Sequence, residues 1–217
     1  MSSIDIEYLI SALSISEDAN FMFSIIKIQS WIRMCLTKQK LLIPSAKYQT
    51  KQWRKTRHWY ITGKSNECEK YQNRIIEKIT KLPLRKTFDR IYMRSMTIID
   101  KKCPMRDIDG FEYTENFDGI QMINDSKVYY NLKFVCDAGG AQTRALREVY
   151  HFVRCQLEIL VASTNIHFIN ILDGDTSHKA MSKYNYLINQ PKYANIKSNL
   201  FIGDMTMFQS YWLSLSI

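Results

Sequence analysis

Asp118, Lys133 and Glu148 are an acid, a lysine and a second acid, spaced as two paired strands and the helix after them would space them. Carboxylates that share a hard divalent cation, with an ammonium beside them, can polarise a phosphodiester and activate a water against it. Asn131, two residues before the lysine, is the amide member of the same group. The chemistry these types suggest is metal-assisted hydrolysis of a phosphate ester.

Three elements must bring the groups together. Residues 117–135 alternate as a hairpin with turn-forming residues at Asn124 to Lys127. Pairing Ile123 with Val128 sets Asp118 directly opposite Lys133, side by side on one face. Along the second strand Val128, Tyr130, Leu132, Phe134 and Cys136 are expected to form the core face, with Tyr129, Asn131, Lys133 and Val135 on the other. Gly139 and Gly140 break the strand. From about Thr143 a helix is expected, with Leu146, Val149, Tyr150, Val153, Leu157 and Leu160 as its buried stripe and Arg144, Glu148, His151 and Arg154 on the opposite side. Glu148 then lies near the helix start, beside the end of the lysine strand, where exposed backbone amides also suit a phosphate. Residues 166–172 read as a buried strand; Asp173 and Asp175 read as turn formers outside the site. An ion pair at the surface is the plain alternative for Asp118 and Lys133.

The remainder of the chain is basic and aromatic. It has 217 residues, a net charge of +9, 46% hydrophobic residues, 4 prolines and 7 glycines, a composition that suits one folded domain and argues against disorder. The charge favours a polyanionic partner, since bound phosphates release condensed counterions. No apolar run approaches the length of a bilayer span, and no signal peptide is recognisable, so a soluble, cytoplasmic protein without membrane contact is expected. The 5 cysteines are widely spaced with no CxxC pair, and the 4 histidines show no ligand spacing.

Residues 4–37 carry apolar positions at helical spacing, interrupted near Ser14 to Asp18. Residues 47–64 contain six cations and no acid; Lys51, Trp53, Arg54, Lys55 and Arg57 interleave charge with an aromatic ring, as a nucleic-acid contact would. A solvated face over an aromatic core is the alternative. A helix over 65–82 follows, with Ser65 as its N-cap, Ile75, Ile76 and Ile79 inside, and Pro83 at its end. MTIID and the segment from Phe111 to Ile123 look extended.

The strings FDG (117–119), NLKFVCDAGGAQTRALREVYHF (131–152) and FINILDGD (168–175) resemble type II restriction endonucleases of the PD-(D/E)XK nuclease superfamily. The resemblance covers roughly the second half of the chain. Asp118 matches the family's first acid and Lys133 its lysine. Phe117 stands where the family often has proline, and Asn131 where it has the second acid, which some members supply from the following helix; Glu148 fits that role. The resemblance implies that Asp118 and Glu148 bind Mg2+ and that Lys133 stabilises charge and orients the water. Gln142, Arg144 and Arg147, at the junction of glycines and helix, become phosphate or base contacts.

The expectation is an α/β chain of one domain, residues 1–217: a helical and basic extension over 1–90, and a nuclease core over 91–217 with a central mixed β-sheet flanked by helices. Its function would be sequence-specific, Mg2+-dependent cleavage of double-stranded DNA within a restriction-modification system, by a homodimer whose twofold axis matches a palindromic site. Two alternatives stand beside it. One is a DNA-binding protein whose nuclease site has decayed at Asn131; the other is an interaction protein whose basic surface meets acidic partners.

Overall fold

A computed structural model describes residues 26–30, 43–100, 107, 109–163 and 165–214. The chain divides into two compact units, residues 1–42 and 43–217. Of the helical expectation over 4–37, residues 26–30 are helical and the remainder lies outside the described residues.

In the second unit the order is α1 (Lys51–Lys55), α2 (Ser65–Thr80), β1 (Asp89–Tyr92), β2 (Thr97–Asp100), β3 (Thr114–Asn116), β4 (Gly119–Ile123), β5 (Ser126–Phe134), α3 (Gly140–Ala162), β6 (Ile166–Asp173), α4 (Asp175–Ile188), a 3-10 segment (Pro191–Asn199), β7 (Leu200–Gly203) and α5 (Met205–Ser214). The main sheet runs β4-β5-β6-β7, antiparallel at its first pair and parallel at the other two; a smaller antiparallel sheet runs β2-β1-β3. This is an α/β fold with a mixed sheet flanked by helices. The long helix α3 is the crossover that lets β5 and β6 lie parallel, because parallel strands cannot be joined by a tight turn.

The hairpin turns tighter than its residue types suggest. Ile123 pairs with Ser126, so only Asn124 and Asp125 form the turn, with Asn124 at φ 50°. Asparagine tolerates that left-handed backbone because its short amide can hydrogen-bond locally. The register therefore slips by two from the expected Ile123–Val128 pairing. Gly119 faces Tyr130 at the end of the ladder, and Asp118 lies just outside it in a bend, its amide donating to Tyr130 O, so it is not opposed to Lys133. A slip of two preserves the side of the sheet for the paired residues Gly119 to Ile123.

Both faces of β5 are buried, which corrects the expectation of one core face. Tyr129 belongs to the main core with Phe117, Phe152, Phe168 and Leu172 beneath α3, while Val128, Tyr130 and Leu132 are buried on the side of α2 and α5. A central strand of a partly parallel sheet is covered by helices on both sides, so polar types at alternate positions do not mark a wet face. The stripe of α3 is as expected: Val149, Val153, Leu157 and Leu160 are buried, and Arg144, Glu148, His151 and Arg154 are exposed. The helix itself starts earlier than Thr143, at Gly140.

Helix α2 buries Ile75, Ile76 and Ile79 as its spacing predicts, but Lys64, not Ser65, is its N-cap. Glu67 in the first turn instead reaches back and accepts the Ile61, Thr62 and Gly63 amides, and these hydrogen bonds, the Thr62 amide's foremost, hold its carboxyl below the usual range against the opposing effect of burial. Thr80 is the last helical residue and Lys81 closes the helix in the left-handed conformation. Pro83 thus lies beyond the stop rather than making it.

Candidate functional site

Asp118 sits where the edge of the sheet bends between β3 and β4. Its amide donates to Tyr130 O at 2.8 Å, and its carboxylate accepts the Leu132 amide at 2.6 Å. The side chain takes the place of a missing backbone acceptor, which locks its rotamer beside β5. Burial pushes the Asp118 carboxyl up from the ordinary range, while Lys133 and the Leu132 N–H pull it back. The acid and the lysine thus lie within electrostatic reach of each other, though not as a directly opposed pair.

Two more carboxylates interact with both of them, and a third interacts with one of those two. Glu115 lies at the middle of β3; burial raises its carboxyl, Lys133 lowers it, and Glu148 and Asp118 raise it further. Glu69, in the second turn of α2, is raised by burial and by Asp118, and lowered by Lys133. Glu148 reaches the group from α3, on the exposed side of that helix. Lys133 on β5 thus acts on Asp118, Glu115 and Glu69, while Glu148 acts on Glu115, and Lys86 and Lys70 also act on Glu69. Like charges gathered in one place favour either a proton or a further cation.

Glu69 and Glu115 are additions to the residues expected from sequence. Glu69 had a legible signal: it precedes the buried Gln72 and Ile76 by three and seven positions, so helical spacing places a carboxylate on the core-facing stripe of α2. Glu115 is three residues before Asp118 in an extended run, and nothing in its spacing marks it.

Asn131 is 2% exposed, and its Nδ2 donates to Asn170 Oδ1 at 3.0 Å. Asn170 in turn donates to Gln156 Oε1 at 2.7 Å and accepts from Gln156 Nε2 at 3.2 Å. A buried amide ladder thus ties β5, β6 and α3 together. Its members need one another, since an unpaired amide in the interior is costly.

Among the described residues, no three carboxylate, histidine or cysteine groups are set close enough to hold a metal ion between them as they stand. Mg2+ asks less of a protein than that. It keeps several waters and is commonly bound by one or two carboxylates together with substrate phosphate. The oxygen donors of Asp118 with Glu115, Glu69 or Glu148 fit that requirement chemically.

Of the other expected contacts, Gln142 is half-buried at the start of α3, and Arg144 and Arg147 are exposed. Lys51 pairs with Asp137 at 2.8 Å. Trp53 stacks on Phe134 with rings 6.2 Å apart and 9° from parallel, and the Arg57 guanidinium lies 4.9 Å from the Trp53 ring. Arg54 stands 4.7 Å from the Tyr60 ring and donates to Cys68 Sγ at 3.6 Å. Lys55 is exposed. Trp59 is 9% exposed and stacks on Tyr71 at 4.4 Å. This basic segment is therefore anchored to the core by its rings, and its cations rim the anchor.

Asp173 is not a turn residue. It ends β6 fully buried, accepting Gln72 Nε2 at 2.8 Å and the Met205 amide at 3.2 Å. It lies outside the acid and lysine group, as expected. Asp175 is the first residue of α4, with its amide donating to Gln49 O at 2.9 Å.

Comparison with known proteins adds one local match. The family described as the IQ calmodulin-binding motif matches residues 24–42. No curated protein and no solved structure matches the chain. Among the described residues, no helix is long and apolar enough to cross a membrane.

Proposed function

We propose that the protein is a metal-dependent nuclease with a restriction-endonuclease-like core, cleaving double-stranded DNA at a specific sequence within a restriction-modification system. The observation that carries this reading is Lys133 within electrostatic reach of the half-buried Asp118 and of Glu115 and Glu69, with Glu148 acting on Glu115. The order of helix, strands, hairpin, crossover helix and parallel strand supports it, as does the resemblance of the strings around Asp118, Lys133 and Glu148. A homodimer would present two such sites to the two strands of a palindrome.

In this reading Asp118 and Glu148 are the first metal-holding pair, with Glu115 and Glu69 available to the same ion. Bound there, Mg2+ would polarise the phosphoryl oxygen and acidify a water. The chain's own share is positional. The Leu132 amide fixes one Asp118 oxygen and leaves the other for the cation. Lys133 stabilises the charge that develops on the phosphoryl oxygens and orients the attacking water. Asn131 has no ligand role in this account, since it is buried with its amide donating to Asn170.

The test is unmethylated plasmid or phage DNA incubated with the purified protein and Mg2+, beside EDTA and Asp118→Ala controls. Discrete fragments that need both metal and Asp118 are expected. Full activity in Glu148→Ala would pass its role to Glu69 or Glu115, to be told apart by the same substitution at each. Intact DNA with specific binding retained would favour a decayed site.

The match to the IQ motif favours a second, separate activity for residues 24–42. This segment, containing Ile28, Gln29, Arg33, Lys38 and Lys40 and no acid, has the basic and apolar character of a helix that docks in the groove of a calmodulin-like protein. Titration of the full chain with calmodulin, with and without calcium, would show saturable binding that an Ile28→Ala/Arg33→Ala variant loses; unaltered binding by that variant would reject the assignment.

A further inference from the structure

Between α3 and α4 runs a groove of about 800 Å³, bordered on one side by Thr143, Arg147 and Tyr150 and on the other by Lys179, Lys183 and Tyr186. Its α3 positions recur at helical spacing, so they present one continuous wall. The two helices are latched at its base, where the Tyr184 hydroxyl donates to Leu146 O at 2.8 Å. Both helices begin at the carboxyl ends of the parallel strands β5 and β6, and Arg147 is the neighbour in sequence of Glu148.

Its chemistry is one-sided. Arg147, Lys179 and Lys183 are exposed, and no carboxylate is among its lining side chains within the described residues. Tyr186 is 75% exposed, a large ring held in water at the rim, while Tyr150 is half-buried and lies against Tyr184 at 6.3 Å. Cations that alternate with an open aromatic face are what a strand of nucleic acid uses: phosphates meet the ammonium groups and a base covers the ring. A volume of this order accommodates one or two nucleotides and not the width of a duplex.

We propose that the α3–α4 groove binds single-stranded nucleic acid, with phosphates on Arg147, Lys179 and Lys183 and a base stacked on Tyr186. That the polymer is a nucleic acid rests on the nuclease reading; the basic and aromatic surface does not.

The test is fluorescence anisotropy of a labelled 12-nucleotide single strand with the full chain in EDTA, repeated across a salt series. Lys179→Ala/Lys183→Ala should weaken binding roughly tenfold or more and make the plot of log affinity against log salt shallower by about 1.4, at about 0.7 per lost phosphate. Tyr186→Ala should weaken binding about five- to hundredfold with the slope unchanged. Lys192→Ala/Lys197→Ala, which removes the same charge elsewhere on the surface, should match the wild type. An unchanged slope and affinity in the first variant, or an equal loss in the control, would overturn the groove assignment. Cleavage of duplex DNA is measured in parallel: groove-dependent binding without any cleavage sinks the nuclease reading alone, and cleavage with groove-independent binding sinks the groove alone.

Discussion

One oxygen of Asp118 is committed to the Leu132 amide, and Lys133 is the cation that keeps its carboxyl from rising further. Lys133→Met should therefore act twice. Cleavage should fall by about a hundredfold or more with the loss of charge stabilisation. The acidic limb of the rate profile should also move to higher pH, since Asp118 without its cation needs less acid to protonate; rates measured from pH 5 to 9 check both effects. Gly174 is the residue whose replacement the backbone forbids most clearly. At φ 99°, an added Cβ would lie 2.1 Å from Val135 O, which is itself backbone and cannot swing away. Gly174→Ala should cost at least about 2–4 kcal/mol of stability in urea denaturation, combining left-handed strain with the clash.

At the scale of elements, the amide ladder decides where α3 sits. Asn170 is fully buried and bonded to Asn131, Gln156 and Phe201 O, so it joins β5, α3 and β7 through β6. Asn170→Ala should destabilise by about 2–4 kcal/mol, because it leaves buried amides on two neighbours without partners. Asn170→Asp should be at least as damaging, since it buries a charge with no cation beside it. Thermal denaturation of the two variants measures this, and a fall below about 0.5 kcal/mol in the first would mean that the ladder is not the fastener. If α3 shifts, Glu148 shifts with it, so the Asn170→Ala variant should lose cleavage beyond its loss of folded protein.

Across the whole molecule, Asp173 links β6 to α2 through Gln72 and to α5 through the Met205 amide, with Asp204 nearby. Burial raises its carboxyl to about 7, with the Gln72 and Met205 donors working against the rise and Asp204 adding to it. An unfolded aspartate titrates near 4, so between about pH 4 and 7 the folded protein holds a proton that the unfolded chain has released. This group's contribution therefore falls as pH rises through that window, by at most about 4 kcal/mol, and is flat above it. Asp173→Asn should flatten that part of the stability profile whatever its absolute cost, as urea midpoints at pH 4.5, 6 and 7.5 would show.

Much of this architecture could be read from local pattern. The hairpin, the long helix after Gly139, its apolar stripe and the final buried strand follow from periodicity and turn chemistry alone, because each depends on residues near one another in the chain. Tertiary contacts decided the rest. The two-residue turn shifted the register by two, and the bend before β4 took Asp118 out of line with Lys133. Covering helices turned a seemingly polar face of β5 into core and satisfied Asn131 inside it. Glu69, 49 residues before Asp118 in sequence, joined the same electrostatic group only when α2 docked on the sheet. Sequence spacing reports which face a residue takes within its own element; which elements then meet depends on buried area and paired polar groups summed over the fold.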